Sequence, residues 1–428
     1  MNDRATRRVI AGLVVFLYVP FLYHHGYQKA FIDHGDFPTI YWASRITYLE
    51  GRSPYAAGAF DETKARLGRH LFPYLYPPQS LLAFYPFSLV GYGAAKLSLL
   101  VANHVSFLAF LYLFFFRITA REPAAAFRGL AAALVFVYVL TYYPVVDNLL
   151  WGQINLVVLA LLCLSWRALK GGGHALAVAL PLSIAVVLKT YPLALLPLLV
   201  FRKRYGAAAA LVALLLLYTA AAWAVLPREA WGDWLTHVAP TGGYGQRPFN
   251  LFLPVAPWNH SLNGFWTFLQ DRSHQLLWVE SRYVARPLAY LTAGAVAAAT
   301  LGLSYLCSRR GDAARWLDFE FSLFLQMMFL AAPLSWEHHL VYLLPGALLA
   351  IHLLLTERLP RAVTVALVAA LCVAAWDFPR DEMFHWKGPW VALIPVKFYA
   401  ALGLWLFSAW WLWAAPRGRR AGAEAGGV

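Results

Sequence analysis

Eleven apolar runs of fifteen to twenty-four residues divide this 428-residue chain: 9–24, 94–116, 129–146, 154–169, 175–189, 205–226, 284–307, 317–333, 339–356, 361–376 and 390–413. About 20 such residues carry a helix across the hydrocarbon core of a bilayer, where the backbone must satisfy its own polar groups. The pattern therefore predicts an all-α integral membrane protein. Two further runs, 77–92 and 190–201, are at or below the length of a full span. Composition agrees: 61% of residues are hydrophobic and 13% charged, with mean hydropathy +0.56, where a soluble domain carries about a quarter charged residues. A soluble globular enzyme, a disordered chain and a disulfide scaffold are excluded. No hydrophilic stretch is long enough for a second domain, so 1–428 reads as one polytopic unit.

Lys and Arg outnumber Asp and Glu by 35 to 21, a net charge of +14. The excess gathers in short links between apolar runs: Arg4–Arg8, Arg117–Arg128, Arg167–Lys170, Arg202–Arg204, Arg309–Arg315, Arg358–Arg361 and Arg417–Arg420. Links of this kind mark the cytoplasmic side, so the charge is an orientation signal and implies no nucleic acid. All of them fall on one side if 77–92 does not cross and 190–201 does. That gives about 12 crossings, within a range of roughly 11–13, with N- and C-termini cytoplasmic. The run 9–24 follows a basic start but lacks a small-x-small cleavage site, and reads as an uncleaved span. Cys163, Cys307 and Cys372 lie in apolar runs and give no disulfide or metal pattern. The 18 Trp and 23 Tyr suit aromatic belts at two membrane surfaces.

The opposite, extracytoplasmic side receives two long loops, about 24–76 and 227–282, and the links 147–153, 189–190, 333–338 and 377–389. Polar, non-basic residues concentrate there. In the first loop Trp42, Ile46 and Leu49 share a helical face, which predicts an amphipathic helix in the membrane interface. Gly51 caps it, and a second short helix is expected over Asp61–Arg69. The tail 417–428 is expected to be disordered.

Ionisable groups at membrane depth are costly and call for a reason. Asp33 and Asp36 follow the first run. Asp36 precedes Phe37-Pro38, which suits an N-cap as well as a general base toward a hydroxyl. Asp147, Asn148, Gln153 and Asn155 form a polar patch with Trp151 and Gly152. It reads either as a turn in which Asn155 caps the next helix, or as a sugar site built from an indole face and an amide. Lys189 sits at a helix break before Tyr191-Pro192, either snorkelling to the interface or supplying a cation for an anionic ligand, phosphate above all. Ser335-Trp336-Glu337-His338-His339 opens a span. Adjacent histidines diverge by about 100° on a helix and chelate poorly, so phosphate or hydroxyl contacts suit them better than zinc. Asn259, His260, Ser261 and Asn263, beside Trp258, form a polar knot in the second loop, or simply a solvated stretch. No P-loop, dinucleotide fingerprint, HExxH or GxSxG occurs, so no nucleotide use is indicated.

Six pieces in order resemble glycosyltransferase family 87, the polyprenol-phosphate-mannose-dependent α-mannosyltransferases with the C-type glycosyltransferase membrane fold. They are Asp36 with Tyr41-Trp42-Ala43 and Glu50-Gly51-Arg52-Ser53-Pro54-Tyr55; Tyr76-Pro77-Pro78; Asn148 with Gly152-Gln153-Ile154-Asn155; Lys189-Thr190-Tyr191-Pro192; Asn259 with Ser261-Leu262-Asn263-Gly264; and Pro333-Leu334-Ser335-Trp336 with His338-His339. They span roughly residues 30–345; beyond that the likeness is only of hydrophobic spans. Thr190 stands where the family often has a bulkier apolar residue.

The resemblance implies an inner-membrane enzyme of cell-envelope biosynthesis. It would move a hexose, mannose foremost, from a polyprenyl phosphate to an acceptor hydroxyl of a glycolipid, polysaccharide or protein, inverting to an α linkage on the extracytoplasmic face. It implies Asp36 as base, with Lys189, His338 and His339 around the leaving phosphate. Tyr41, Trp151, Gln153, Asn155, Tyr191, Asn259 and Ser261 are the further expected substrate contacts. No metal or other cofactor is implied, the lipid-linked sugar being a substrate. The rival reading is a polytopic transporter or lipid flippase. No inverted repeat supports it, and the polar residues gather on one face instead of the midplane.

Overall fold

The computed structural model describes residues 35–67, 72–119, 130–246, 256, 258–269, 282–310, 313–383, 385–386 and 388–425. The expected first span 9–24, Asp33 and parts of both long loops lie outside them. Among the described residues no strand occurs. The helices are α1 (Phe37–Leu49), α2 (Ala59–Leu67), α3 (Ser80–Ser88), α4 (Tyr92–Leu113), α5 (Leu130–Leu140), α6 (Tyr143–Leu150), α7 (Asn155–Lys170) and α8 (Ala175–Leu188). They continue with α9 (Leu196–Phe201), α10 (Tyr205–Val225), α11 (Glu229–Asp233), α12 (Leu262–Leu269), α13 (Arg282–Ser308) and α14 (Ala313–Ala331). Last come α15 (Leu344–Thr356), α16 (Arg361–Ala375), α17 (Arg380–Met383) and α18 (Val396–Ala425). α18 runs on into the segment expected as a disordered tail from 417.

Four stretches among the described residues are long and apolar enough to cross a membrane: Tyr92–Ile118, Tyr205–Val225, Ala285–Ser308 and Glu337–Thr356. A fifth is a pair, Val135–Leu150 and Asn155–Lys170, bent by 118°. The chain is an integral membrane protein in which several helices are shorter than a full span. α8 has 14 residues, which at 1.5 Å each rise only about 21 Å. The stretch 190–201 is a 3₁₀ turn, Tyr191–Leu195, followed by the six residues of α9. Pro192 and Pro197 both fall at helix starts, where a missing N–H leaves nothing unpaired.

The first-loop helix differs from the interfacial helix that its sequence suggests. Phe37, Pro38, Thr39, Ile40, Tyr41, Ala43, Ser44, Ile46 and Thr47 are all buried, whereas Leu49 is 53% exposed. α1 packs on α3 and touches α4, and Phe37 meets the rings of Phe87 and Tyr92. Its polar side chains tolerate burial because they bond to backbone: Ser44 donates to the Phe84 carbonyl and Thr47 to that of Ala43, each at 2.8 Å. The protein, not the lipid, supplies most of the surface this helix needs. Gly51 follows in the left-handed region at φ +66°, as a helix end of this kind requires.

α7 is the central element, packed on α4 and α8, and α8 is flanked by α10. The two ends of α7 have different chemistry. At the Lys170 end, Lys170 pairs with Asp318 at 2.5 Å, Trp166 donates to the same carboxylate at 3.0 Å, and Arg202 pairs with Glu320. These pairs close one end of the bundle. At the Asn155 end the helices part around a cavity.

Candidate active site

Asp36 and Gln153 meet because two glycine turns cross there. Gly35 (φ +103°) and Gly152 (φ +60°) both adopt the left-handed region, open to glycine at little cost. The Asp36 N–H donates to the Trp151 carbonyl at 2.8 Å. A Cβ on Gly35 would come within 2.6 Å of that carbonyl oxygen, and one on Gly152 within 2.7 Å of Phe37 Cβ. Asp36 occupies the N-cap position of α1 but makes no side-chain cap bond. Its carboxylate instead accepts from the Gln153 amide.

A set of asparagines fixes the Gln153 segment from below. The Gln153 carbonyl accepts from Asn103 on α4 at 2.7 Å and from Asn148 on α6 at 3.1 Å. Asn148 Oδ1 in turn accepts from the backbone N–H and the side-chain amide of Asn155, and Asn155 Oδ1 accepts from the Tyr342 hydroxyl at 2.9 Å. So Asn148, and not Asn155, satisfies the start of α7. A buried network in which each member has a partner holds a single geometry, since any break strands a polar group in low dielectric.

From Gln153 the contacts run on to two other segments. Gln153 Oε1 accepts from Lys189 Nζ at 3.1 Å and from the Tyr76 hydroxyl at 3.3 Å. Lys189 is the extended residue that ends α8, and its Nζ is 3.1 Å from His339 Nε2. Tyr76 and Tyr191 face the Nζ with ring centroids at 5.2 and 5.9 Å. His338 and His339 lie in the 3₁₀ turn Glu337–Leu343, rings 4.6 Å apart and nearly perpendicular. The adjacent rings therefore serve different partners: His338 Nδ1 is 3.3 Å from Asp147, while His339 turns to Lys189.

These side chains line a cavity of about 980 Å³. Asp36, Trp151, Gln153, Lys189, Tyr191, His338 and His339 all face it. The lining also includes Tyr143, Trp258, Trp336, Phe378, Asp377 and Glu382. Asp36 opens on the cavity and is otherwise enclosed by protein. That enclosure raises its carboxyl pKa above the ordinary value of 3.8, against the opposing pull of His338, Lys189 and the Gln153 amide.

Four residues expected to touch substrate lie away from the cavity. Tyr41 is buried among aromatic rings, and its hydroxyl donates to the Val90 carbonyl at 3.1 Å. Asn155 is committed to the network beneath Gln153. Asn259 and Ser261 brace the Pro333–Ser335 turn: Asn259 Oδ1 accepts from the Ser335 N–H at 3.0 Å, and Ser261 Oγ donates to Asn259 Oδ1 at 3.0 Å. Asn259 and Ser261 are short polar side chains that bond the backbone of this turn, at the Ser335 N–H and the Pro333 carbonyl, which suits turn-building.

Behind the His338–His339 turn lies a buried charge cluster whose members come from three distant parts of the sequence. Glu337 is bound by Lys397 from α18 through one oxygen and by His260 Nε2 at 3.1 Å through the other. All three residues are 2% exposed or less. Lys397 stands as a lone charge inside the apolar run 390–413, a placement that calls for a partner without naming it in sequence.

Residues 74–333 match the sequence model of glycosyltransferase family 87. Two curated proteins are similar over most of the chain. Each is a polyprenol-phosphate-mannose-dependent alpha-(1-2)-phosphatidylinositol mannoside mannosyltransferase. The one from Mycolicibacterium smegmatis is 27% identical over 360 residues, covering 79% of this chain and 74% of that protein. The one from Mycobacterium tuberculosis is 25% identical over 350 residues, with the same coverage. No solved structure matches the chain.

Proposed function

The chain belongs to glycosyltransferase family 87, and on that premise we propose that it transfers mannose from a polyprenyl phosphate to an acceptor hydroxyl on the extracytoplasmic face, inverting to an α linkage. The acceptor is a glycolipid, the class named in both mannosyltransferase relatives. The chain works as a single polytopic unit of about 12 spans with C-type architecture in the inner membrane, basic links and both termini inside.

One observation carries the chemistry: Asp36, Gln153, Lys189 and His339 form a continuous contact series along one wall of the cavity. Asp36 takes the proton of the acceptor hydroxyl as its oxygen attacks the anomeric carbon. Lys189, His338 and His339 meet the phosphate, where negative charge grows as the bond to the sugar breaks. Trp151, Tyr191 and Gln153 bound the sugar. Tyr41, Asn155, Asn259 and Ser261 support these positions from outside the cavity.

The test is transfer from labelled polyprenyl phosphate mannose to a membrane lipid extract by purified protein, with product linkage determined. An α-mannosylated lipid is expected. A β-linked product, or no product with any glycolipid fraction, would remove the reading.

A further inference from the structure

The hydrogen bonds around His339 constrain the charge of Lys189. The Trp336 backbone N–H donates to His339 Nδ1 at 3.0 Å. Nδ1 is therefore an acceptor and carries no proton, so the neutral ring has its hydrogen on Nε2. That hydrogen points at Lys189 Nζ, 3.1 Å away. An ammonium has three donors and no acceptor, and would meet the Nε2–H hydrogen to hydrogen. An uncharged amine resolves the conflict: its lone pair accepts from Nε2–H while one of its own hydrogens goes to Gln153 Oε1.

The groups facing this amine come from several elements. Asp36 precedes α1, Tyr76 precedes α3, Tyr191 follows Lys189, and His339 stands with His338 on the 3₁₀ turn. Asp147 is turned to His338, and Glu337 to His260 and Lys397. Asp36 is the carboxylate linked to this amine, through Gln153 rather than by direct contact.

We propose that Lys189 rests as an uncharged amine, takes up one proton when the anionic lipid-phosphate donor binds, and gives that proton to the leaving phosphate. This rests on the proposed function. In the transfer step the acceptor oxygen bonds to the anomeric carbon and its proton passes to Asp36. The bond from that carbon to the phosphate oxygen breaks, the electron pair stays on the oxygen, and Lys189 protonates it. The lipid phosphate leaves as a monoanion, Lys189 returns to the amine, and Asp36 releases its proton to water. Lys189 is then a proton carrier as well as a charge, a role Arg could not fill because its guanidinium stays protonated.

Two measurements test this. Selective ¹⁵N-histidine labelling of the detergent-solubilised protein, with His339 assigned by loss of its signals in His339→Gln, reports the resting tautomer. A neutral Nε2–H ring near neutral pH is expected; an Nδ1–H ring or an imidazolium overturns the resting amine, whatever reaction the protein performs. Calorimetry of a short-chain polyprenyl phosphate mannose in buffers of differing ionisation enthalpy then counts protons. About one proton taken up per donor is expected for wild type and about none for Lys189→Arg. Binding without uptake, or equal uptake in Lys189→Arg, overturns the coupling. A wild type that binds no such donor removes the proposed function and the coupling together, and leaves the tautomer to decide the resting amine.

Discussion

Gly152 faces Phe37 so closely that a Cβ on the glycine would stand 2.7 Å from the Phe37 Cβ. This contact brings the start of α1 against the Trp151–Gln153 turn and so puts the Asp36 carboxylate on the Gln153 amide. Gly152→Ala would meet both that clash and a left-handed φ of +60°. Such a position costs about 1–3 kcal/mol when a side chain is forced into it. We expect transfer to fall at least about ten-fold, because a loss of about 1.4 kcal/mol in transition-state binding already corresponds to that factor. Gly51→Ala is the comparison: its φ is +66° but nothing lies within 4 Å. It should cost stability, read as the melting temperature in detergent, and leave transfer close to wild type. Equal activity losses in the two variants would argue that backbone strain alone, and not the Phe37 contact, matters.

Asp36→Asn should abolish transfer while keeping the fold. The carboxyl pKa is raised by enclosure in protein, so the folded state favours its protonated form. The stabilising contribution of Asp36 is therefore present at low pH and lost as pH rises through the raised value. At neutral pH the amide variant should melt no lower than wild type. For the same reason the acid limb of kcat/KM, where the base becomes protonated, should lie above the ordinary aspartate range. A limb at or below about pH 4 would place the essential base elsewhere.

Trp151 borders the cavity beside Gln153, with its ring 6.1 Å from that of Phe72. If the indole bounds the sugar, Trp151→Ala should raise the donor KM by roughly ten-fold, the loss of one aromatic contact of about 1.4 kcal/mol. Trp151→Phe should recover most of it. A fall in kcat with KM unchanged would mean that the ring shapes the reacting geometry instead.

Much of this is legible in the residues alone. The apolar runs announce a helical membrane protein, and the break at Lys189-Thr190 falls where α8 ends. Asp36, Gln153, Lys189, His338 and His339 do share a cavity. Other features lie beyond a one-dimensional reading. Trp42, Ile46 and Leu49 look like one interfacial face, yet α1 buries Ile46 with Phe37, Ile40 and Tyr41 and leaves Leu49 exposed, because α3 folds over it. Asn155 resembles a cap in sequence, but Asn148, seven residues earlier, reaches it across the 118° bend. Asn103 is one polar residue in a largely apolar helix, and only tertiary contact shows that it holds Gln153.

Lys397 supplies the last prediction. It lies beyond the family match, yet through Glu337 it reaches the turn that carries His338 and His339. Removing one partner of a buried ion pair leaves an uncompensated charge and costs about 3–5 kcal/mol, whereas removing both with similar volume is often neutral. Lys397→Met should therefore melt well below wild type. Glu337→Gln combined with Lys397→Met should recover most of that loss, because the amide introduced at position 337 still has His260 as a partner and no lone carboxylate remains. Transfer distinguishes the pair's two possible roles. If the pair holds the histidine turn in place, the double variant stays at least about ten-fold below wild type in kcat despite its recovered stability. If the pair only fills the core, activity returns with the melting temperature, and α18 has no part in shaping the cavity.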